Sequence, residues 1–190
     1  MDHYFDIRAI PNPEIRQSAV MAHLMQQLHR LLPQYRRRIG LDFPGYRKKQ
    51  GLGAVIRVFG IAQDIQAIRQ QVANANDITE YSLITSTEEI PNTVEQFARY
   101  TRVHAKGNSY FNRLKRRHQT RGTWTAELEL QIRSKANLRL SFPHINLRSD
   151  STGQNFILFI NRTRVAKPVA GLFNGYGLSG SDISTVPVFV

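Results

Sequence analysis

Polar and apolar residues alternate over His3–Ala9. Phe5, Ile7 and Ala9 share one side and Tyr4, Asp6 and Arg8 the other, the period-two pattern of a strand. Pro11 and Pro13 then interrupt the chain, and Ser18 stands where it can cap a helix running to about Leu32. Met21, Leu24, Met25, Leu28, Leu31 and Leu32 form the apolar stripe of that helix. Short strands follow over Ile39–Phe43 and Ala54–Phe59. A second helix over Gln63–Ala73 carries Ile65, Ile68 and Val72 on one face, and a fourth strand falls near Ile78–Thr85. The order β-α-β-β-α-β predicts a ferredoxin-like, RRM-like domain over residues 1–93. The Lys/Arg-Gly-aromatic run of an RNA-reading sheet face is absent, so the fold alone assigns no activity.

Ser86–Thr93 is rich in Ser, Thr, Glu and Pro and reads as a linker. Beyond it, Ala98–Ala105 alternates again and places Tyr100, Arg102 and His104 on one face. Asn108 can cap a helix to about His118. On that helix Arg113, Arg116 and Arg117 stand at i, i+3 and i+4, so their guanidinium groups leave one side together. Strands are expected at Arg139–Leu147, Asn155–Asn161 and Ile183–Val190. Gly171, Gly175, Gly177 and Gly180 mark a flexible, tightly turned segment. Trp124, Ala126, Leu128, Leu130 and Ile132 alternate strictly, as in a strand, while the Ala, Leu, Glu and Gln of the same stretch favour helix. The whole is an α+β chain, its residues 94–190 forming a smaller α/β domain with an arginine-rich helix.

Charge changes the picture more than composition does. The 190 residues carry a net charge of +12, from 26 Lys+Arg against 14 Asp+Glu. Residues 1–95 hold 11 basic and 10 acidic residues, and residues 96–190 hold 15 and 4. Between Glu95 and Glu127 lie Arg99, Arg102, Lys106, Arg113, Lys115, Arg116, Arg117 and Arg121 with no acid among them. A merely solvated surface intersperses the two signs, so this asymmetry points to a polyanionic partner, nucleic acid before lipid. No apolar run approaches bilayer length, and the start lacks the basic flank and apolar core of a signal peptide, so a cytoplasmic location without a membrane is the expectation. The absence of cysteine removes disulfides, thiolate catalysis and thiolate zinc sites.

Among chemistries, metal catalysis is poorly supplied: the acids are scattered, without a familiar ligand spacing, and no cofactor is expected. Metal-free RNA cleavage needs less, because RNA brings its own nucleophile, the 2′-OH. An enzyme must align that hydroxyl, take its proton and screen the phosphate, and histidine is the side chain suited to the proton. Of His3, His23, His29, His104, His118 and His144, His29 is distinctive in lying near the end of the first helix at the margin of its apolar stripe. The segment Leu147–Gln154, with Ser149, Ser151 and Thr152, is either an ordinary polar turn or a hydroxyl cradle for ribose and phosphate. Phe156 is either strand core or a platform for a base pair.

The sequence resembles the hairpin-specific CRISPR RNA-processing endoribonucleases of type I-F systems, over nearly its whole length. The resemblance rests on Met1-Asp2-His3-Tyr4…Asp6-Ile7-Arg8, Leu28-His29, Ile39-Gly40…Phe43-Pro44 and Arg102-Val103…Ala105-Lys106. It continues through Leu114-Lys115-Arg116-Arg117-His118, Leu147-Arg148-Ser149…Ser151-Thr152-Gly153-Gln154 and Tyr176-Gly177-Leu178-Ser179. It implies a metal-independent endoribonuclease that binds a CRISPR repeat hairpin, cuts at its 3′ base and stays with the crRNA in the surveillance complex with other subunits. In that family pattern His29 matches the general base, Ser149 the serine that positions the 2′-OH, and Tyr176 the tyrosine that orients the histidine. Arg113, Arg116 and Arg117, with Lys115 beside them, match the helix that enters the hairpin groove. Arg102 matches a reader of bases at the stem foot and Phe156 an aromatic stacked on the terminal pair, with Ser151 and Thr152 as auxiliary contacts. His104 stands where the family often has glutamine, a departure at a base-contacting position. The rival reading from another class is a non-catalytic RNA-binding scaffold of a ribonucleoprotein, which the same basic composition satisfies.

Overall fold

The computed structural model describes residues 1–104, 108–180 and 183–189, with the side chains of residues 108–109 and 135–140 also left aside. Ala105, Lys106 and Val190, named above, lie outside the described residues.

The first half builds one antiparallel sheet. Its main path runs through β1 (His3–Ala9), β2 (Gly40–Asp42), β3 (Val55–Gly60) and β4 (Ser82–Ile84) in the spatial order β2-β3-β1-β4, and a short fifth strand, β5 (Glu88–Glu89), also pairs with β1. Helices α1 (Gln17–Leu31) and α2 (Ala62–Ala73) join β1 to β2 and β3 to β4, with a short helix α3 (Asn76–Thr79) before β4. Phe5 and Ile7 of β1 are fully buried in one cluster with Leu24, Met25 and Leu28 of α1 and Ile65, Ile68 and Val72 of α2, as period-two and period-3.6 patterns meeting across one core require. The opposite side of β1 is covered as well. Asp6 is buried against the Arg57 guanidinium in a two-pronged ion pair (2.7 and 3.0 Å), and that guanidinium also donates to the Phe189 carbonyl oxygen at 2.9 Å.

The second half makes another antiparallel sheet, from β6 (Phe97–Val103), β7 (His144–Arg148), β8 (Asn155–Val165) and β9 (Val186–Pro187), ordered β7-β8-β6-β9. Between β6 and β7 run α4 (Asn108–Thr120) and α5 (Ala126–Leu140). Buried residues of both sheets fall into a single hydrophobic cluster. Polar ties cross between them: Tyr100 donates to Asp42 at 2.5 Å and Tyr46 to the Ile160 carbonyl at 3.1 Å.

Several local expectations differ. Residues 126–132 are helical, so propensity outweighs alternation; the cost is visible in Leu130, which is 68% exposed because a period-two apolar pattern cannot gather on one helix face. The strand expected from Arg139 begins only at His144, since α5 runs on to Leu140. Ser18 does not cap α1, whose N-cap position is Arg16 and carries no side-chain cap; Asn12 instead turns the chain upstream by accepting from the amides of Glu14 and Ile15. Asn108 is already the first residue of α4. The polar Ser86–Thr93 stretch is no free linker, because β5 (Glu88–Glu89) pairs with His3 and Tyr4 of β1 through backbone groups that composition does not report. The last strand shrinks to Val186–Pro187.

Candidate functional site

The last turn of helix α1 carries His29 and Arg30, with Leu28 locked in the core beneath them. The half-buried His29 ring places Nδ1 2.7 Å from the Gly175 carbonyl oxygen. A carbonyl oxygen has no proton to give, so Nδ1 carries the hydrogen, and in the neutral ring Nε2 is the acceptor. Tyr176 stacks on the same imidazole, ring centroids 4.1 Å apart and planes 12° from parallel. Burial pushes the Tyr176 phenol pKa up.

The glycine-rich segment that delivers these two contacts is tightly turned, as expected, and it is also pinned. Leu41 donates its amide to the Gly177 carbonyl at 2.8 Å, and Phe173 donates to the Arg37 carbonyl at 2.9 Å. Gly177 has φ +68°, and a Cβ there would sit 2.5 Å from Leu41 Cγ, so both the turn and the close approach need glycine.

The hydroxyl-bearing segment folds back as a turn between β7 and β8. Ser149 donates its amide to Gln154 O at 2.9 Å, and Gly153, at φ +67°, donates to Ser149 O at 2.8 Å. Ser149 Oγ lies 3.1 Å from Ser151 Oγ and accepts from the Thr152 amide at 3.3 Å. The turn is clasped to α1 by residues that straddle His29. Arg30 grips Asp150 with Nε and a terminal nitrogen at 2.9 and 3.0 Å, and Gln26 accepts from the Arg148 amide at 3.2 Å. Gln26, His29 and Arg30, at i, i+3 and i+4, occupy one side of the helix, which sets the imidazole beside the hydroxyl turn. The Arg30 hydrogen bonds hold the Asp150 carboxyl below its usual range.

Arg102 of β6 and Phe156 of β8 complete the cluster. The Arg102 guanidinium lies 5.4 Å from the Phe156 ring centre and 6.0 Å from that of Tyr176, and the two rings meet edge to face at 6.3 Å. Phe156 is half-buried, packed against the core on one side and under the Arg102 guanidinium. His104 is exposed just past the end of β6.

On α4, Arg113, Arg116 and Arg117 are exposed as the spacing requires. Lys115 turns the other way, 3.9 Å from Glu129 and 5.4 Å over the Trp124 ring, and so helps join α4 to α5. Among the described residues no group of three or more His, Asp or Glu side chains is arranged to hold a metal ion, and no helix is long and apolar enough to cross a membrane. Sequence reasoning missed Gln26, Arg30, Asp150 and the Gly175 carbonyl. Asp150 lay inside the singled-out segment, but no local signal ties it to Gln26 and Arg30, 124 and 120 residues away in the chain.

An imidazole held by Gly175 and Tyr176, a hydroxyl turn clasped to the same helix and a separate helix with exposed arginines mark this α+β protein. The family model described as CRISPR-associated protein (Cas_Csy4) matches residues 4–189. The chain is 34% identical over 192 aligned positions to the CRISPR-associated endonuclease Cas6/Csy4 of Escherichia coli (strain UTI89 / UPEC), covering 100% of both chains. It is 33% identical over 185 positions to the protein of the same name from Pseudomonas aeruginosa (strain UCBPP-PA14), covering 94% of this chain and 96% of that one. This chain belongs to the Csy4 family of CRISPR-associated proteins. A solved structure described as CRISPR endoribonuclease Cse3 bound to 19 nt RNA aligns over 99% of this chain and 100% of that chain, with a TM-score of 0.39 and 14% identity, a likeness too distant to carry an argument.

Proposed function

We propose that this protein is a metal-independent endoribonuclease that binds the hairpin of a CRISPR repeat transcript and cuts at its 3′ base to release mature crRNA. What supports the reading is the His29–Gly175 hydrogen bond, which puts the hydrogen on Nδ1 and, in the neutral ring, leaves Nε2 to accept a proton, on the helix side that Gln26 and Arg30 tie to the Ser149 turn. In this scheme Ser149 Oγ holds the ribose 2′-OH and His29 Nε2 removes its proton. The O2′–P bond forms as the P–O5′ bond breaks, and the leaving 5′ oxygen takes a proton from the imidazolium or water. The products are a 2′,3′-cyclic phosphate and a 5′-hydroxyl. Because the nucleophile belongs to the substrate, positioning and one base are what the protein must supply, the base contributing about 10²–10⁴-fold.

Arg102 and Phe156 meet the foot of the stem, by base-edge contact and by stacking on the terminal pair, with His104 as a further base contact. Ser151 and Thr152 bond the neighbouring phosphate. Arg113, Arg116 and Arg117, with Lys115 behind them, take the stem phosphates and groove; an A-form major groove is closed to side chains along its length but opens at the end of a short stem. Residues 1–93 act as a ferredoxin-like domain carrying the histidine, and residues 94–190 as the hairpin-binding domain. The processed hairpin is retained, and the other subunits of the type I-F surveillance complex are the protein partners.

The test is cleavage of a repeat-containing transcript in excess chelator. Wild type should cut at the 3′ base of the stem, while His29→Ala should bind the hairpin normally and not cut. A His29→Ala protein that cuts at the wild-type rate overturns the scheme, and a wild type that binds without cutting makes the chain a scaffold.

A further inference from the structure

His29 is held by a carbonyl, and the orientation of a carbonyl is set by its peptide plane. The oxygen that bonds His29 Nδ1 belongs to the Gly175–Tyr176 peptide unit. The N–H of that same unit, on Tyr176, donates to Asn174 Oδ1 at 2.8 Å. In a planar trans peptide the C=O and N–H point in opposite directions, so a partner on the N–H aims the C=O. Asn174 and His29 therefore bracket one rigid plane from its two sides.

Glycine at 175 makes this pin necessary. Without a Cβ the backbone before the plane rotates with little steric resistance, and a rotated plane would turn the carbonyl away from the imidazole. Asn174 is well placed to prevent it. Its Oδ1 also accepts from the Leu178 amide at 3.2 Å, its own amide donates to Leu178 O at 2.7 Å, and its carbonyl accepts from Gly177 at 3.0 Å. These bonds close the turn between the Phe173 and Ser179 bridge partners. Bonds in such a chain polarise one another, so a pinned Tyr176 amide also makes the Gly175 oxygen a better acceptor.

We propose that Asn174 is a positioning residue that selects the Nδ1–H tautomer of His29 by fixing the Gly175–Tyr176 peptide plane. Its consequence for rate rests on the nuclease reading above; its consequence for the tautomer does not.

The test compares wild type, Asn174→Ala and Asn174→Asp by the imidazole ¹⁵N shifts of His29 in the neutral form and by single-turnover cleavage of a repeat hairpin. Asp keeps an acceptor oxygen in place and Ala does not. Wild type and Asn174→Asp should show Nδ1–H, and Asn174→Ala a mixture of the two tautomers. Cleavage by Asn174→Ala should fall about tenfold to a hundredfold, with hairpin affinity unchanged and Asn174→Asp largely restored. An Asn174→Ala protein that keeps Nδ1–H, or an Asn174→Asp protein as disturbed as Asn174→Ala, overturns the inference. Because the ¹⁵N readout needs no substrate, a wild type that fails to cut would sink the nuclease reading while leaving this assignment standing or falling on its own.

Discussion

Tyr176 lies flat on His29, centroids 4.1 Å apart and planes within 12°, while Gly175, one residue earlier, holds the same imidazole by its edge. The stack resists tilting of the ring and the hydrogen bond resists its rotation. One short turn thus restrains the imidazole in two independent directions, from 146 residues away in the chain.

Because the ring face makes this contact, Tyr176→Phe should cleave at close to the wild-type rate. Tyr176→Ala should slow cleavage by about tenfold or more, with hairpin affinity little changed. Single-turnover rates at saturating protein check this. A Phe variant as slow as the Ala variant would move the role from the ring to the phenol oxygen.

The Arg30–Asp150 clasp is half exposed on both sides, so it adds little to global stability but holds the Ser149 turn on α1. Arg30→Ala and Asp150→Ala should each slow cleavage with little change in unfolding midpoint. The double variant should be no worse than either single one, since both remove the same interaction. Additive effects in that cycle would show that the two residues act separately.

On α4, Arg116→Ala and Arg117→Ala should weaken hairpin binding while leaving the cleavage rate of bound RNA near wild type. Removing one arginine–phosphate pairing should flatten the slope of log K against log salt by about 0.7–0.9. Affinity titrations over a salt series measure this, and unchanged slopes would show that these arginines do not pair with phosphates.

Tyr100 and Asp42 form a buried pair between the sheets, with Asp42 Oδ2 left without a partner. Tyr100→Phe should lower stability by about 1–3 kcal/mol by removing the hydroxyl donor from this buried carboxyl. Burial raises the Asp42 carboxyl above its ordinary 3.8. The folded chain then binds this proton more tightly than the unfolded one, so the stability it contributes is lost as pH rises from about 3.8 through the raised folded value. Asp42→Asn should lack that decline, which urea unfolding across pH would reveal as a difference growing with pH and then levelling. A parallel pH dependence in the two proteins would refute the assignment.

Most of the first sheet was legible because its longer elements declare themselves within a dozen residues. Phe5 and Ile7 alternate, the α1 stripe repeats at helical spacing, and the arginines of α4 share a side whatever the rest of the chain does. Legibility failed where local signals conflict or are silent. In α5 alternation and propensity pointed opposite ways, and the helix formed at the expense of an exposed Leu130. In β5 two glutamates pair through backbone groups that every residue owns.

His29 could be singled out in advance as a residue type suited to moving a proton and Ser149 as one of several hydroxyls in a polar segment, while Tyr176 entered only through the family resemblance; the chain order of side chains says nothing of the atoms that aim them. Gly175 contributes a carbonyl, Asn174 an acceptor and Arg30 a clasp, none of which differs in type from dozens of solvated groups. The amino-acid sequence determined its own local periodicities, its charge asymmetry and the supply of chemically competent side chains, because these depend on neighbours a few positions apart. Which tautomer His29 adopts and which turn lies beside it were decided by packing between segments more than a hundred residues apart, where direction and distance exist only once the chain has closed on itself.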